Sequence, residues 1–421
     1  MADLTEFVNA EIGVSRSGPP KAQFAFKGNS DIGEATFLVD PGETVEDGLK
    51  RWAGTVLGLD ATGMALLDIL EVRAWGPSDK GAAPYRYVKA KVRKQDEAGR
   101  AVEAAAERWL ARHPRRPRQP RSRRSGENRT ACAEWWPLSD TQIGKGGEER
   151  FGGLSETMAR LDWSEQAFAD YHDRIVRDGY HPERIIIPLA GDMTEGCYGS
   201  YDNQEFITSL NAADQLELAV AAVDRHIEAA LDLAPEVILT GVASNHDRQS
   251  RMSKRENVTD AWDDRTFVLL RTLARAHSKA KQDRLRVVMP NNPHVAVVED
   301  GFLTVATIHG HKPKYRGTAA NSMWEWWQAE IASHRDAAAA QVLLAGHYHH
   351  AYTLGPQSGR LLIGLPSLDG GSQWFEAIGG DWSLPGVVPF LTTEGGVCRL
   401  ESLVWGQDRD AARDFVGGAV A

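Results

Sequence analysis

The sequence predicts an α/β sandwich preceded by a small α+β domain, and three observations carry that prediction. Past residue 132, short apolar strands alternate with helical stretches, which is the rhythm of a layered α/β architecture. Ahead of that region, residues 112–129 hold eight arginines, three prolines and no aliphatic or aromatic residue. Such a segment cannot supply a packed core, so it divides the chain. The composition is globular, with 42% apolar and 25% charged residues over 421 positions, enough for one large core and a smaller one.

In the N-terminal domain, residues 1–111, Ala22 to Phe26 and Ala35 to Val39 read as short strands. Thr44 is placed to cap a helix from Val45 to Leu57. Leu70 to Trp75 and Tyr85 to Val92 alternate like a hairpin around the turn residues 77–81. No catalytic cluster falls in this domain; a homodimer contact or a partner protein could use it. The linker, residues 112–131, reads equally as a solubilising spacer and as a phosphate-contacting arm.

In the third segment, residues 132–421, the predicted strands are Glu134 to Leu138, Arg184 to Leu189, Glu236 to Thr240, Arg286 to Met289, His294 to Val298, Phe302 to Ile308, Val342 to Ala345 and Leu361 to Leu365. The clearest helix places Leu216, Val220, Val223, Ile227 and Leu231 three and four apart, one core-facing stripe. Trp324, Trp326 and Trp327 belong to a further helix and read as core. His172, His181, His226, His277 and His334 stand alone and read as structural or exposed.

Membrane-spanning and exported classes are not expected. No apolar run approaches the roughly 20 residues that span a bilayer, and the first residues lack the basic start and apolar core of a secretion signal. Cys132, Cys197 and Cys398 are far apart with no CxxC spacing, so neither a disulfide framework nor a thiolate zinc knuckle is expected. A cytoplasmic location fits these features. The net charge of −10 disfavours nonspecific nucleic-acid binding over most of the chain, but the arginine segment runs the other way.

Nearly every predicted strand of the third segment ends in a polar cluster: Ser139-Asp140-Thr141-Gln142, Gly191-Asp192-Met193-Thr194-Glu195, Ser244-Asn245-His246-Asp247, His309-Gly310-His311 and Gly346-His347-Tyr348-His349-His350. Ligands of open α/β sheets collect at the carboxyl ends of strands, so these clusters should converge on one rim. Carboxylates, an amide oxygen and imidazoles together suit divalent Mn²⁺, Mg²⁺, Fe²⁺ or Zn²⁺. Two such ions roughly 3.5–4 Å apart can polarise a phosphate and generate hydroxide that attacks phosphorus in line. Asp192 is the natural bridge between them, and Gly191 lets the chain turn beside it. His347 and His349 are two residues apart, so an extended segment would point both imidazoles the same way. Arg248, Lys254, Arg255, Lys314 and Arg316 follow these motifs and are candidates for binding phosphate; solvated loop charge explains them as well.

The ordered series D-x-[HQ], G-D, N-H-D, H-G-H and G-H-x-H resembles the calcineurin-like metallophosphoesterases, over about residues 134–370, and is closest in look to phage and bacterial DNA-repair exonuclease members. The resemblance implies a β-sandwich flanked by helices. It implies a first metal on Asp140, Gln142, Asp192 and His349, and a second on Asp192, Asn245, His309 and His347, with His309 preferred over His311. It casts His246 as the group that stabilises the transition state or protonates the leaving oxygen, and Asp247 as the residue that could orient it. Manganese is the expected ion and DNA the expected substrate, through phosphodiester hydrolysis. A small-molecule phosphodiesterase or phosphomonoesterase is the alternative, and a noncatalytic binding protein with a degraded site is a third. The chain departs from the family in Gln142, where histidine is usual, in Ser244, where glycine is usual, and in lacking an arginine shortly after Asp192.

Overall fold

The computed structural model describes residues 23–26, 32–40, 43–57, 64–75, 85–94, 129–146, 153–197, 208–248, 261–279, 283–355, 359–371 and 384–406. The turn at 77–81, most of the arginine segment, and Lys254 and Arg255 lie outside them.

The N-terminal elements are β1 (Gln23–Phe26), β2 (Ile32–Val39), α1 (Val45–Leu57), β3 (Met64–Trp75) and β4 (Tyr85–Lys94). The strands pair antiparallel in the order β1-β2-β4-β3. Thr44 caps α1 as its sequence predicts: its Oγ1 accepts from Asp47 N at 3.1 Å. Phe37, Val39, Leu49, Trp52, Val88 and Val92 form a core of this unit's own.

The third segment contributes β5 (Thr130–Trp135), α2 (Gly153–Arg177), β6 (Tyr180–Leu189), α3 (Ala212–Leu233), β7 (Glu236–Gly241), α4 (Arg265–Lys279) and β8 (Leu285–Val287). There follow β9 (Ala296–Glu299), β10 (Thr304–Ile308), α5 (Ala319–Ala332), β11 (Val342–Ala345), β12 (Tyr352–Leu354) and β13 (Leu361–Gly364). The last strands are β14 (Gly386–Val387), β15 (Phe390–Thr393), β16 (Gly396–Cys398) and β17 (Leu403–Val404). Two sheets result, ordered β16-β15-β5-β6-β7-β8 and β12-β13-β11-β10-β9. In the six-stranded sheet β5-β6-β7-β8 run parallel and β15 and β16 join antiparallel at the other edge; in the five-stranded sheet β13-β11-β10 are parallel and both edge strands antiparallel, while β14 and β17 pair separately.

Strand alternation fixes the layers. Ile185, Ile187 and Leu189 of β6 face Phe168 of α2, Val223 and Ile227 of α3, and Phe267 and Leu270 of α4. Between them, Ile186 faces the other way and meets Trp135, Ile238, Val305, Leu344 and Ile363 between the two sheets. The outer face of the second sheet, Ala306, Ile308, Leu343 and Ala345, is covered by Met323 and Trp327 of α5. The fold is thus a β-sandwich flanked by helices. Each large aliphatic side chain so buried contributes roughly 1.5–3 kcal/mol.

Several boundaries differ from the sequence expectation. β5 begins earlier than predicted and ends at Trp135, because Pro137 lacks an N–H; the chain nevertheless keeps beside β6 through Leu138 N to Pro188 O at 3.0 Å. On α3 the apolar stripe is wider than expected: Leu216 and Val220 are only partly buried, while Leu218, Ala219 and Ala222 turn inward. The short strands β12 and β14–β17 have no prediction, since two- to four-residue pairings carry too little periodicity to be read. Among the described residues, no helix is long and apolar enough to cross a membrane.

Candidate metal centre

All five polar clusters sit past the carboxyl ends of parallel strands: β5, β6, β7, β10 and β11. The first two loops are bonded together, Asp140 N to Gly191 O and Gln142 N to Asp192 O, each 3.0 Å. Backbone strain gathers here. Seven non-glycine residues among those described have positive φ, and five of them are Asp140, Gln142, Asp192, His347 and His349. Left-handed backbone in non-glycine residues costs of order 1–3 kcal/mol each, so the surrounding structure holds these side chains in place against that cost. The adjoining glycines permit the crowding. Gly191 has φ +92°, and a Cβ there would lie 2.7 Å from Ser244 Cβ and 2.8 Å from His309 Nδ1. A Cβ on Gly346 would strike Ser139 Oγ and Asp140 Oδ2.

Asp192, His309 and His347 bring one ligand atom each within 4.8 Å of one another. His309 Nδ1 donates to Ala190 O at 2.8 Å, which makes Nε2 the lone-pair nitrogen of the neutral ring. That nitrogen faces Asn245 Oδ1 at 2.8 Å and Asp192 Oδ2 at 3.1 Å. Three lone-pair atoms turned on one another repel unless a cation stands among them. Burial by itself would lower the His309 pKa, yet Asp192 and Asp140 raise it to about 9. The site therefore draws in positive charge, and a divalent ion bound by all three atoms can take the place of the proton that Nε2 would otherwise share with Asp192 and Asn245. The Nδ1–carbonyl bond is the outer support that metal-bound imidazoles usually have. His347 is pushed down to about 4 by burial and by His309, which keeps it neutral and able to donate its lone pair. Asp192, Asn245, His309 and His347 fit a divalent cation.

The other half of the centre is built differently. His349 Nε2 lies 3.2 Å from Asp140 Oδ1, and Asp140 Oδ2 accepts from His347 N at 3.0 Å and from Ser139 Oγ. Gln142 Oε1 accepts from Lys145 Nζ at 3.1 Å, and Lys145 also bonds Asp369 Oδ2 at 2.6 Å. The acids and imidazole fit a cation, but an ammonium already lies beside the amide oxygen. The extended segment expected of His347 and His349 is not formed: φ is 73° and 59°, and the two rings reach different halves of the site by a left-handed turn.

His246 stands at the edge of both halves, with Nε2 3.5 Å from Gln142 Nε2 and 3.9 Å from Asp192 Oδ2. Its Nδ1 donates to Glu195 O at 3.0 Å, with Glu195 Oε2 at 3.4 Å. Burial opposes its charge, but Asp192 and Glu195 overcome that and raise it to about 10. The role expected of Asp247 falls instead to Glu195. The Asp247 carboxylate accepts from Met193 N and Thr194 N, both at 2.8 Å, and from the hydroxyls of Thr194, Ser244 and Thr266. It ties the loop after β6 to the loop after β7. Ser244 takes part in that tie and is absent from the positive-φ residues, so glycine is not required there.

The phosphate candidates separate. Arg316 pairs with Glu325 at 3.2 Å on the surface, and Lys314 is exposed. Arg248 acts electrostatically on His294 and Lys312, depressing both beyond what burial does. His311 packs near His309 and His347 with centroids at 5.2 and 6.3 Å. The lone histidines are structural where bonded: His172 to Glu134, His226 to Ser164 and Ala222, and His277 to Asp224. His277, Asp224 and Glu228 form a second ligand-like group between α3 and α4. Trp327 is core, donating to Ala337 O, with Trp324 and Trp326 packed against the same cluster. Sequence reasoning gave no role to Glu195, Lys145 and Asp369. Glu195 and Asp369 were visible as acids following predicted strands, whereas nothing distinguishes Lys145 in sequence.

No protein-family model matches the sequence, and no curated protein matches it. Among solved structures, wild-type Vps29 complexed with Zn²⁺ from Entamoeba histolytica aligns over 65% of this chain and 94% of its own, at 13% identity and a TM-score of 0.30. A dimetal phosphatase from Danio rerio aligns over 65% of this chain and 99% of its own, at 11% identity and a TM-score of 0.30. Vps29 from Chaetomium thermophilum aligns over 66% and 98%, at 10% identity and a TM-score of 0.26. The strand order and layers described above, not these alignments, define the fold.

Proposed function

We propose that this chain is a metal-dependent phosphoester hydrolase of the calcineurin-like type, acting as a phosphodiesterase on nucleic acid. The observation that carries the reading is the cluster of facing lone pairs on Asp192, Asn245 and His309, with His347 alongside, held by strained backbone at the rim of a parallel sheet. Divalent ions held there would polarise a phosphate and supply the nucleophile at neutral pH. His246, held at Nδ1 by Glu195, turns Nε2 into the centre and is suited to deliver a proton to the leaving oxygen. Asp247 keeps the loops that carry Asp192 and Asn245 in register. The arginine-rich segment supports nucleic acid as substrate, because phosphate contacts from it would add salt-sensitive affinity.

The test is a matrix of Mn²⁺, Mg²⁺, Fe²⁺ and Zn²⁺ against single-stranded DNA, double-stranded DNA, RNA and bis(p-nitrophenyl) phosphate. Hydrolysis of a nucleic acid that stops in EDTA and weakens steeply with salt is expected, with the salt slope reduced when residues 112–128 are deleted. Turnover of small diesters alone would move the substrate to the small-molecule alternative. Absence of both hydrolysis and bound metal would leave a noncatalytic protein. That last reading is favoured by one observation, the Lys145 ammonium beside Gln142.

A further inference from the structure

Lys145 is not an ordinary surface lysine. Its side chain is 13% exposed, and Nζ reaches two residues of the centre, Gln142 Oε1 at 3.1 Å and Asp369 Oδ2 at 2.6 Å. Asp369 Oδ2 in turn lies 3.8 Å from His349 Nδ1, and His349 Nε2 faces Asp140 Oδ1. The ammonium is therefore built into the chain of groups that forms the Asp140 half of the site. Its backbone is fixed as well. Lys145 N bonds Gln142 O at 3.1 Å, Lys145 bridges to Thr208, and Gly144 O accepts from Ser209 N at 2.7 Å. Gly144, at φ +100°, packs where a Cβ would meet the Gln215 side chain. Ordering a lysine costs up to roughly 2 kcal/mol of side-chain entropy and some hydration besides. A lysine serving only as a solubilising charge would avoid both.

The two halves differ in what they ask of a cation. In the Asp192–Asn245–His309–His347 half, His309 Nε2 faces Asn245 Oδ1 at 2.8 Å and Asp192 Oδ2 at 3.1 Å, with His347 within ligand reach of Asp192 and His309. In the Asp140–Gln142–His349 half, an ammonium already occupies the amide oxygen and the nearby Asp369 carboxylate. We propose that Lys145 is a built-in cation that weakens metal binding in the Asp140 half, so that the two metal sites differ in affinity and Lys145 sets the difference. A divalent ion entering that half must face a fixed positive charge and compete for Gln142 Oε1. The centre then works with one tightly held ion, the second arriving only at high metal concentration. This deepens the phosphoesterase reading and rests on it for the presence of the ions.

The experiment is a calorimetric titration of Mn²⁺ into the full-length chain stripped with EDTA and desalted, with bound metal counted by elemental analysis. Wild type should bind one equivalent tightly and a second at least about tenfold more weakly, the scale on which groups behind the ligands tune metal sites. Lys145→Gln keeps hydrogen-bonding capacity without charge and should narrow the gap by about tenfold or more; Lys145→Arg, which keeps the charge, should not. Lys145→Met serves where the glutamine variant folds poorly, and far-ultraviolet circular dichroism checks folding for each. Two equal sites in wild type, or an unchanged gap in both neutral variants, would overturn the proposal and leave the phosphoesterase reading standing. Failure to bind any metal would overturn both.

Discussion

Replacing Asp192 by asparagine separates the charge of the centre from its shape. In the metal-free protein Asp192 is the leading source of positive pull on both His309 and His246, which stand at about 9 and about 10 against 6.5 for an ordinary histidine. A histidine whose folded pKa is raised adds stability that is fully present below pH 6.5 and is lost as pH rises through the folded pKa. For His309 alone the loss between those limits is about 3 kcal/mol. Urea unfolding in EDTA at about pH 6 and about pH 9.5 should therefore show wild type losing stability with rising pH. Asp192→Asn keeps the hydrogen bond from His246 N but not the charge, and should lose no more than half as much. Saturating Mn²⁺ should add about 2.7 kcal/mol at a hundredfold excess over Kd in wild type. The variant should gain far less, and its hydrolysis should fall at least about 100-fold. A variant with the wild-type pH slope in EDTA and the wild-type manganese gain would refute the assignment of Asp192 as the shared anion of the centre.

Three further outcomes are expected. His246→Ala should lower kcat by about 100-fold or more while the Mn²⁺-induced rise in Tm persists; disappearance of that rise would make His246 a ligand. Gly191→Ala should cost at least about 2 kcal/mol in thermal unfolding and weaken metal binding, since it combines a left-handed φ with contacts under 3 Å to Ser244 and His309. Burial lowers the His226 pKa inside the α2–α3 interface, so the stability it protects is present above pH 6.5 and lost as pH falls below it. His226→Asn should flatten acid unfolding in that range, and an unaltered acid limb would show that another group titrates there.

Much of this molecule was legible in sequence because strand and helix periodicities are local. Val45–Leu57 with its Thr44 cap, Val342–Ala345, and the polar residues following β5, β6, β7, β10 and β11 need only neighbouring residues to be read. The order of the clusters was legible too, and parallel strands bring their carboxyl ends to one rim whatever the connections between them. What the sequence could not contain is direction and distance. Left-handed backbone at Asp140, Asp192, His347 and His349 is uncommon for any non-glycine residue, although Asp and His adopt it more readily than most, and packing around the site selects it at these four positions. The partner of His246 is not Asp247, its sequence neighbour: the Asp247 carboxylate turns away to the backbone of Met193 and Thr194, and Glu195 approaches from the loop after β6. Lys145 meets Asp369 across 224 positions of chain. The sequence by itself named the polar clusters that follow the strands; only tertiary packing brought Lys145 and Asp369 among them and decided which lone pairs face one another and which half of the centre already holds a charge, because those depend on contacts between residues the chain separates widely.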